Sequence, residues 1–157
     1  MLIAILLLVV ALFLWPVWLL LGIFLIWRYI RRSFARKHLL QELQQTWSAQ
    51  GRRLIFFTTN GKHWKAYFEK ELLPRLQGKA QIVNWSTRQQ DGWKEASLEA
   101  RIIDLYGRWP RIAPSAFVLL PSGALKAFFF HDTFRKFLKS GKPAFKEQEA
   151  ELVSLLS

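Results

Sequence analysis

Arg53-Leu54-Ile55-Phe56-Phe57-Thr58-Thr59-Asn60-Gly61-Lys62-His63-Trp64-Lys65-Ala66-Tyr67-Phe68 is the stretch on which the fold turns. Its first six residues are a short apolar run, which predicts a buried strand. Thr59-Asn60-Gly61 is turn chemistry. The period then changes. Trp64, Phe68, Leu72 and Leu76 recur every four residues, so a helix with one apolar face should follow.

Working outward, Ala80 to Trp85 predicts a second strand, and Gln90-Asp91-Gly92 breaks the chain. Trp93, Ala96, Ala100 and Ile103 mark a second helix ending near Gly107, and Pro110 and Pro114 bracket a loop. Ser115 to Leu120 and Ala124 to Phe130 read as strands joined through Pro121-Ser122-Gly123, a hairpin signal. Asp132 or Thr133 is the expected cap of a helix carrying Phe134, Phe137 and Leu138. Phe145 to Leu156 forms a last short helix after Pro143. The expected order is β-α-β-α-β-β-α. Its first βαβ unit needs a parallel crossover, and its last two strands pair antiparallel.

Before this region the composition is different. Leu2 to Trp27 contains no charged residue, and 19 of its 26 residues are Leu, Ile, Val or Phe. About 20 apolar residues suffice to cross a hydrocarbon core of roughly 30 Å. At roughly −0.3 to −0.6 kcal/mol per such residue, the segment gains at most about 6 to 11 kcal/mol on insertion. Pro16 removes one helix hydrogen bond, which local adjustment can make good in lipid. A cleaved leader fits poorly: the start Met1-Leu2-Ile3 is not basic, the run is too long, and Ser33-Phe34-Ala35 lies beyond Arg28, Arg31 and Arg32. Residues 2–27 are therefore expected to be an uncleaved single-pass anchor in a bacterial inner membrane. Arg28, Arg31, Arg32, Arg36 and Lys37 crowd its carboxyl flank, and the positive-inside rule then places the following domain in the cytoplasm.

Residues 28–50 read as a basic helical connector. Ile30, Phe34, Leu40, Leu43 and Trp47 share one side, a stripe that would also serve as a homodimer seam, and Gly51 is a natural stop. Residues 51–157 form the remaining domain. They hold 18 Lys and Arg against 10 Asp and Glu, a charge of +8 within the chain's +12.

Two stretches carry a family resemblance. Gly61-Lys62-His63-Trp64-Lys65-Ala66-Tyr67-Phe68-Glu69-Lys70-Glu71-Leu72-Leu73-Pro74-Arg75-Leu76 resembles the first active-site helix of thioredoxin-like proteins of the bacterial disulfide-oxidoreductase type. Ile112-Ala113-Pro114-Ser115-Ala116-Phe117-Val118 is similar to that family's cis-proline loop, with Pro114 in the proline's place. The likeness covers about Arg52 to Leu138. It implies a thioredoxin-like fold, preceded here by the transmembrane helix. It also places Lys62 and Lys65 where the family carries its two cysteines. The chain has no cysteine. Thiol exchange needs a thiolate attacking a sulfur, so thiol-disulfide oxidoreductase activity is excluded.

What the resemblance leaves is a groove between a helix start and a proline loop, made of Asn60, Gly61, Lys62, His63, Lys65, Ile112, Ala113 and Pro114. The expected function is a noncatalytic binding or assembly module. It would recognise a protein segment or an acidic ligand beside the membrane, with the bilayer as its other partner. The alternative is an enzyme using the surroundings of Lys62, His63 and Pro114. His38, His63 and His131 show no metal-ligand spacing, and no Gly-x-Ser-x-Gly elbow is present, so neither a metal nor a cofactor is expected. Gly61-Lys62 lacks the rest of a phosphate-binding P-loop. Trp64, Trp85, Trp93, Trp109 and Phe128-Phe129-Phe130 beside a basic surface suggest base stacking, but the apolar phase assigns several of them to the core and no nucleic-acid motif accompanies them.

Overall fold

The computed structural model describes residues 2–87, 97–108 and 113–156, with side chains at 15–61 and from His63 onward within those ranges. Helix α1 runs Leu2–Ala49 with Pro16 inside it, β1 is Leu54–Thr58, and α2 is Lys62–Tyr67. A π-helical turn, Phe68–Leu72, leads into α3, Leu73–Leu76. Then come β2, Ala80–Asn84, a 3₁₀ turn at Trp85–Thr87, and α4, Leu98–Tyr106. Strands β3, Ser115–Leu119, and β4, Leu125–Phe129, precede α5, His131–Ser140, and α6, Ala144–Ser154.

Two compact units divide the chain, Met1–Lys37 and His38–Ser157. In the first, Trp15, Trp18, Phe24 and Trp27 are exposed, and the Arg31 guanidinium lies 5.4 Å from the Trp27 ring. Among the described residues no helix is long and apolar enough to cross a membrane. The apolar run with described side chains, Trp15 to Trp27, meets Arg28, Arg31 and Arg32 before reaching the length of a span. The remainder of the expected span, residues 2–14, has its side chains outside the description.

In the second unit a mixed sheet has strand order β2-β1-β3-β4. β1 pairs parallel with β2 and antiparallel with β3, and β3 pairs antiparallel with β4. This α/β arrangement has the parallel first pair of strands and the antiparallel final hairpin expected from the sequence. Successive strand residues point to opposite faces, so the apolar runs of β1 and β3 feed two cores. Leu54, Phe56, Ala116 and Val118 pack with Phe68, Leu72, Leu76, Phe134, Phe145 and Leu152 from α2–α3, α5 and α6. Ile55, Phe57, Phe117 and Leu119 pack with Ile102 and Ile103 of α4 and with Leu39, Leu43 and Trp47 of α1.

That second core revises the boundary expected at Gly51. Leu39, Leu43 and Trp47 are at most 1 % exposed, so the last turns of α1 form one layer of the domain rather than a connector. Leu40 packs there too. A seam between two copies would therefore lose Leu40, Leu43 and Trp47 from its stripe and keep only Ile30 and Phe34. Gly51 does close the helix: its φ of +64° takes the left-handed conformation glycine adopts without strain.

Two local features differ from the sequence pattern. The expected single helix from Lys62 to Leu76 is interrupted, with the Leu73 N–H reaching back five residues to the Phe68 carbonyl. Pro74 follows and has no N–H to continue the i→i−4 ladder, so the wider turn accommodates the break. The helix expected to start at an Asp132 or Thr133 cap instead begins at His131. Asp132 faces His131 Nδ1 at 3.2 Å, and Thr133 donates to the Phe130 carbonyl and to Gln148. For α4 the cap is Ser97, whose Oγ accepts from the Ala100 N–H, while the expected start of that helix at Trp93 and Ala96 lies outside the described residues.

Candidate functional site

The chain leaves β1 and enters β3 at the same end of the sheet, because the register sets Phe57 opposite Ser115. The first loop is tied down. The Asn60 N–H donates to Ser86 Oγ at 3.1 Å, and Asn84 Nδ2 donates to Asn60 Oδ1 at 2.7 Å. The Gly61 N–H donates to Thr59 Oγ1. Gly61 is required by space: a Cβ there would come within 2.8 Å of Trp64 Cδ1. The Trp64 ring thus folds back over the start of its own helix.

Across from it, Ala113–Pro114 is a cis peptide, at the proline that the family resemblance set in the cis-proline loop. The Pro114 carbonyl accepts from the Phe130 N–H at 3.1 Å. Next to Phe130, the His131 ring stacks on Trp64 with centroids 5.4 Å apart and planes 29° from parallel. Trp64 also meets Phe134 at 4.5 Å. A chain of contacts, Pro114 to Phe130 to His131 to Trp64, therefore joins the proline loop to the first helix. The neighbouring Ser115 is fully buried, and its Oγ has no hydrogen-bond partner among the described residues.

Of the expected site residues, Asn60, Gly61, Ala113 and Pro114 lie at this end of the sheet. The Asn60 N–H is spent on Ser86 and the Gly61 N–H on Thr59, which removes them as donors for an anion. His63 and Lys65 are exposed, and Lys65 Nζ stands 3.8 Å from Glu69 Oε1, a weak surface pair. Lys62 opens α2 with its side chain outside the description, and Ile112 lies outside the described residues. So do Trp93 and Trp109, while Trp64, Trp85 and Phe128 pack on the cores. Among the described residues no cluster of His, Asp and Glu is arranged to hold a metal ion.

A second cluster went unread in the sequence. Glu149 of α6, 2 % exposed, accepts from the Tyr67 hydroxyl at 2.7 Å, from Lys146 at 3.0 Å and from Arg75 at 3.3 Å. Lys146 also bonds the Tyr67 oxygen, and its ammonium lies over that ring. Burial, followed by the bond to the Glu149 carboxylate, holds the Tyr67 hydroxyl above its ordinary range. The bond to Tyr67 holds the Lys146 ammonium above its ordinary range, against the opposing effect of burial. One signal was present: Phe145, Glu149 and Leu152 fall at helical spacing, a lone charge on an apolar stripe. A charge kept there needs partners. The cluster fastens α6 to the helix after β1, the helix that also carries Trp64.

No protein-family model, curated protein or solved structure matches this chain.

Proposed function

We propose that the chain is a membrane-anchored, noncatalytic binding module with a thioredoxin-like domain. Its groove beside Pro114 takes an extended protein segment. The observation carrying this reading is the meeting of the β1 exit and the β3 entry at one end of the sheet, fastened through Pro114, Phe130, His131 and Trp64. The strand order β2-β1-β3-β4 supports the family reading. With no cysteine to do chemistry, the same shape serves recognition: a segment laid along Ala113 would add as a strand, and side chains would read its sequence. Lys62, His63 and Lys65 favour an acidic residue in that segment. Supporting the anchor are the uncharged stretch Leu2 to Trp27, the exposed apolar side chains from Trp15 onward, and the basic flank. By the positive-inside rule that flank supports a placement of the domain on the cytoplasmic side of a bacterial inner membrane.

The test places a photoreactive amino acid at His63, or at Lys139 on α5 as a control, in the full-length protein in cells. His63 should give discrete adducts that Lys139 does not. The Lys62→Glu, Lys65→Glu double variant should lose most of them while keeping its fold, since Lys65 is exposed and an acidic residue at position 62 suits the start of α2. Equal adducts at both positions, or adducts unchanged by the charge reversal, would refute the groove as the binding site.

A further inference from the structure

The other end of the sheet, away from Pro114, holds a cavity of about 410 Å³. Its walls are Gln44 and Ser48 of α1, Arg52 and Arg53 ahead of β1, Leu119 at the end of β3, and Leu120 and Pro121 after it, all within the second compact unit. Among the described residues no carboxylate lines it. Among the described residues neither guanidinium forms an ion pair. Two adjacent arginines beside an amide and a hydroxyl, with no counter-charge, form a donor-rich concavity.

The walls are held in place. Leu119 N–H donates to the Arg53 carbonyl at 2.8 Å, joining the two sides of the opening. On the hairpin side, Gly123 N–H bonds the Leu120 carbonyl and Leu120 N–H bonds that of Ala124, closing a tight turn. Gly123 has φ +80°, and a Cβ on it would stand 2.3 Å from Gln44 Nε2. The turn therefore sits directly against the Gln44 amide and fixes that side of the opening. The negative end of α1 is also near, which by itself would repel an anion. Its carbonyls are already engaged: Trp47 C=O accepts from Gln50 and Arg52, and Ser48 C=O accepts from Gly51.

We infer that this cavity binds the phosphate group of a small phosphate ester through Arg52 and Arg53, with Gln44 and Ser48 as additional donors. Guanidinium groups match phosphate oxygens in paired, charge-assisted hydrogen bonds, and they keep their charge at any physiological pH. The volume admits a substituent beyond the phosphate itself. The ester comes either from the headgroup of an anionic lipid or from a soluble metabolite. The chemistry is the same, and the inference is independent of the groove at the opposite end.

Glycerol 1-phosphate titrated calorimetrically into the full chain in neutral detergent at low salt should give saturable, single-site binding. Arg52→Gln and Arg53→Gln should each weaken it about tenfold, the scale of a lost charge-assisted hydrogen bond. Arg135→Gln on α5 should leave it unchanged. The source is separated by protecting the arginines from phenylglyoxal. Stronger protection in phosphatidylglycerol nanodiscs than by glycerol phosphate assigns a lipid headgroup, and the reverse assigns a soluble ester. Absence of binding at about 10 mM ester, together with absence of protection by the lipid, would overturn the site. Equal binding by the Arg52→Gln, Arg53→Gln double variant would overturn it as well.

Discussion

Starting the protein at Gly51 should abolish folding, whereas starting it at His38 should preserve it. The difference between the two fragments is the last part of α1, with Leu39, Leu43 and Trp47 buried against Ile55, Phe57, Phe117 and Leu119. Truncating a buried Leu to Ala costs about 2 to 5 kcal/mol, and a buried Trp about 3 to 5. The three together amount to about 7 to 15 kcal/mol if additive, and neighbours in one core bring the sum toward the lower end. A whole domain is stable by only about 5 to 15 kcal/mol, so even the lower figure removes most of it. Urea unfolding followed by near-ultraviolet circular dichroism gives both quantities for each fragment. The His38–Ser157 fragment should unfold cooperatively, its Trp47→Ala variant should lose about 3 to 5 kcal/mol, and the Gly51–Ser157 fragment should show no transition. A Gly51–Ser157 fragment within about 1 kcal/mol of the longer one would refute the assignment of α1 to the core.

Glu149→Gln keeps the shape of its side chain but removes the charge that three donors share, and it should cost about 2 kcal/mol in urea titrations. The figure is held low because Arg75 and Lys146 are about half exposed and recover water when released. An unchanged midpoint would mean the cluster does not fasten α6. Tyr67 and Lys146 hold their protons more tightly in the folded chain than at their ordinary values of 10.0 and 10.5. Above about pH 10 the folded chain therefore binds more protons than the unfolded one, so their contribution is intact below that pH and is lost as pH rises through the folded values. Tyr67→Phe should flatten this decline, and parallel stability curves for the two proteins across that range would contradict it.

The strands were readable because β1 and β3 are buried on both faces and so show as unbroken apolar runs, Leu54–Phe57 and Ala116–Leu119. Turn chemistry at Thr59-Asn60-Gly61 and Pro121-Ser122-Gly123 bounded them correctly. The stripe containing Leu43 and Trp47 was visible as well, but periodicity says only that a helix has an apolar side. Which surface covers that side is a tertiary fact, and here it is the protein's own sheet. In the site, Gly61 and Pro114 stood out by residue type. The stacking of His131 on Trp64 did not, because the two are distant in sequence and neither sits in a patterned position relative to the other. Glu149 left a trace on the apolar face of α6, yet two of its three partners, Tyr67 and Arg75, come from the helical segment after β1, which no local window joins to it.

The two faces of the sheet are covered by segments from opposite directions along the chain. For Ile55 and Phe57 the cover lies in Leu39, Leu43 and Trp47, before β1, and in Ile102 and Ile103, before β3. Leu54 and Phe56 need Phe134, Phe145 and Leu152, all after β4. During synthesis the first face has its covering helices as soon as β3 emerges. The other face then presents aromatic side chains, Phe56 and Phe68 among them, with only part of their shelter until α5 and α6 are made. That interval exposes the growing chain to association with other nascent chains, the hazard that chaperones exist to contain.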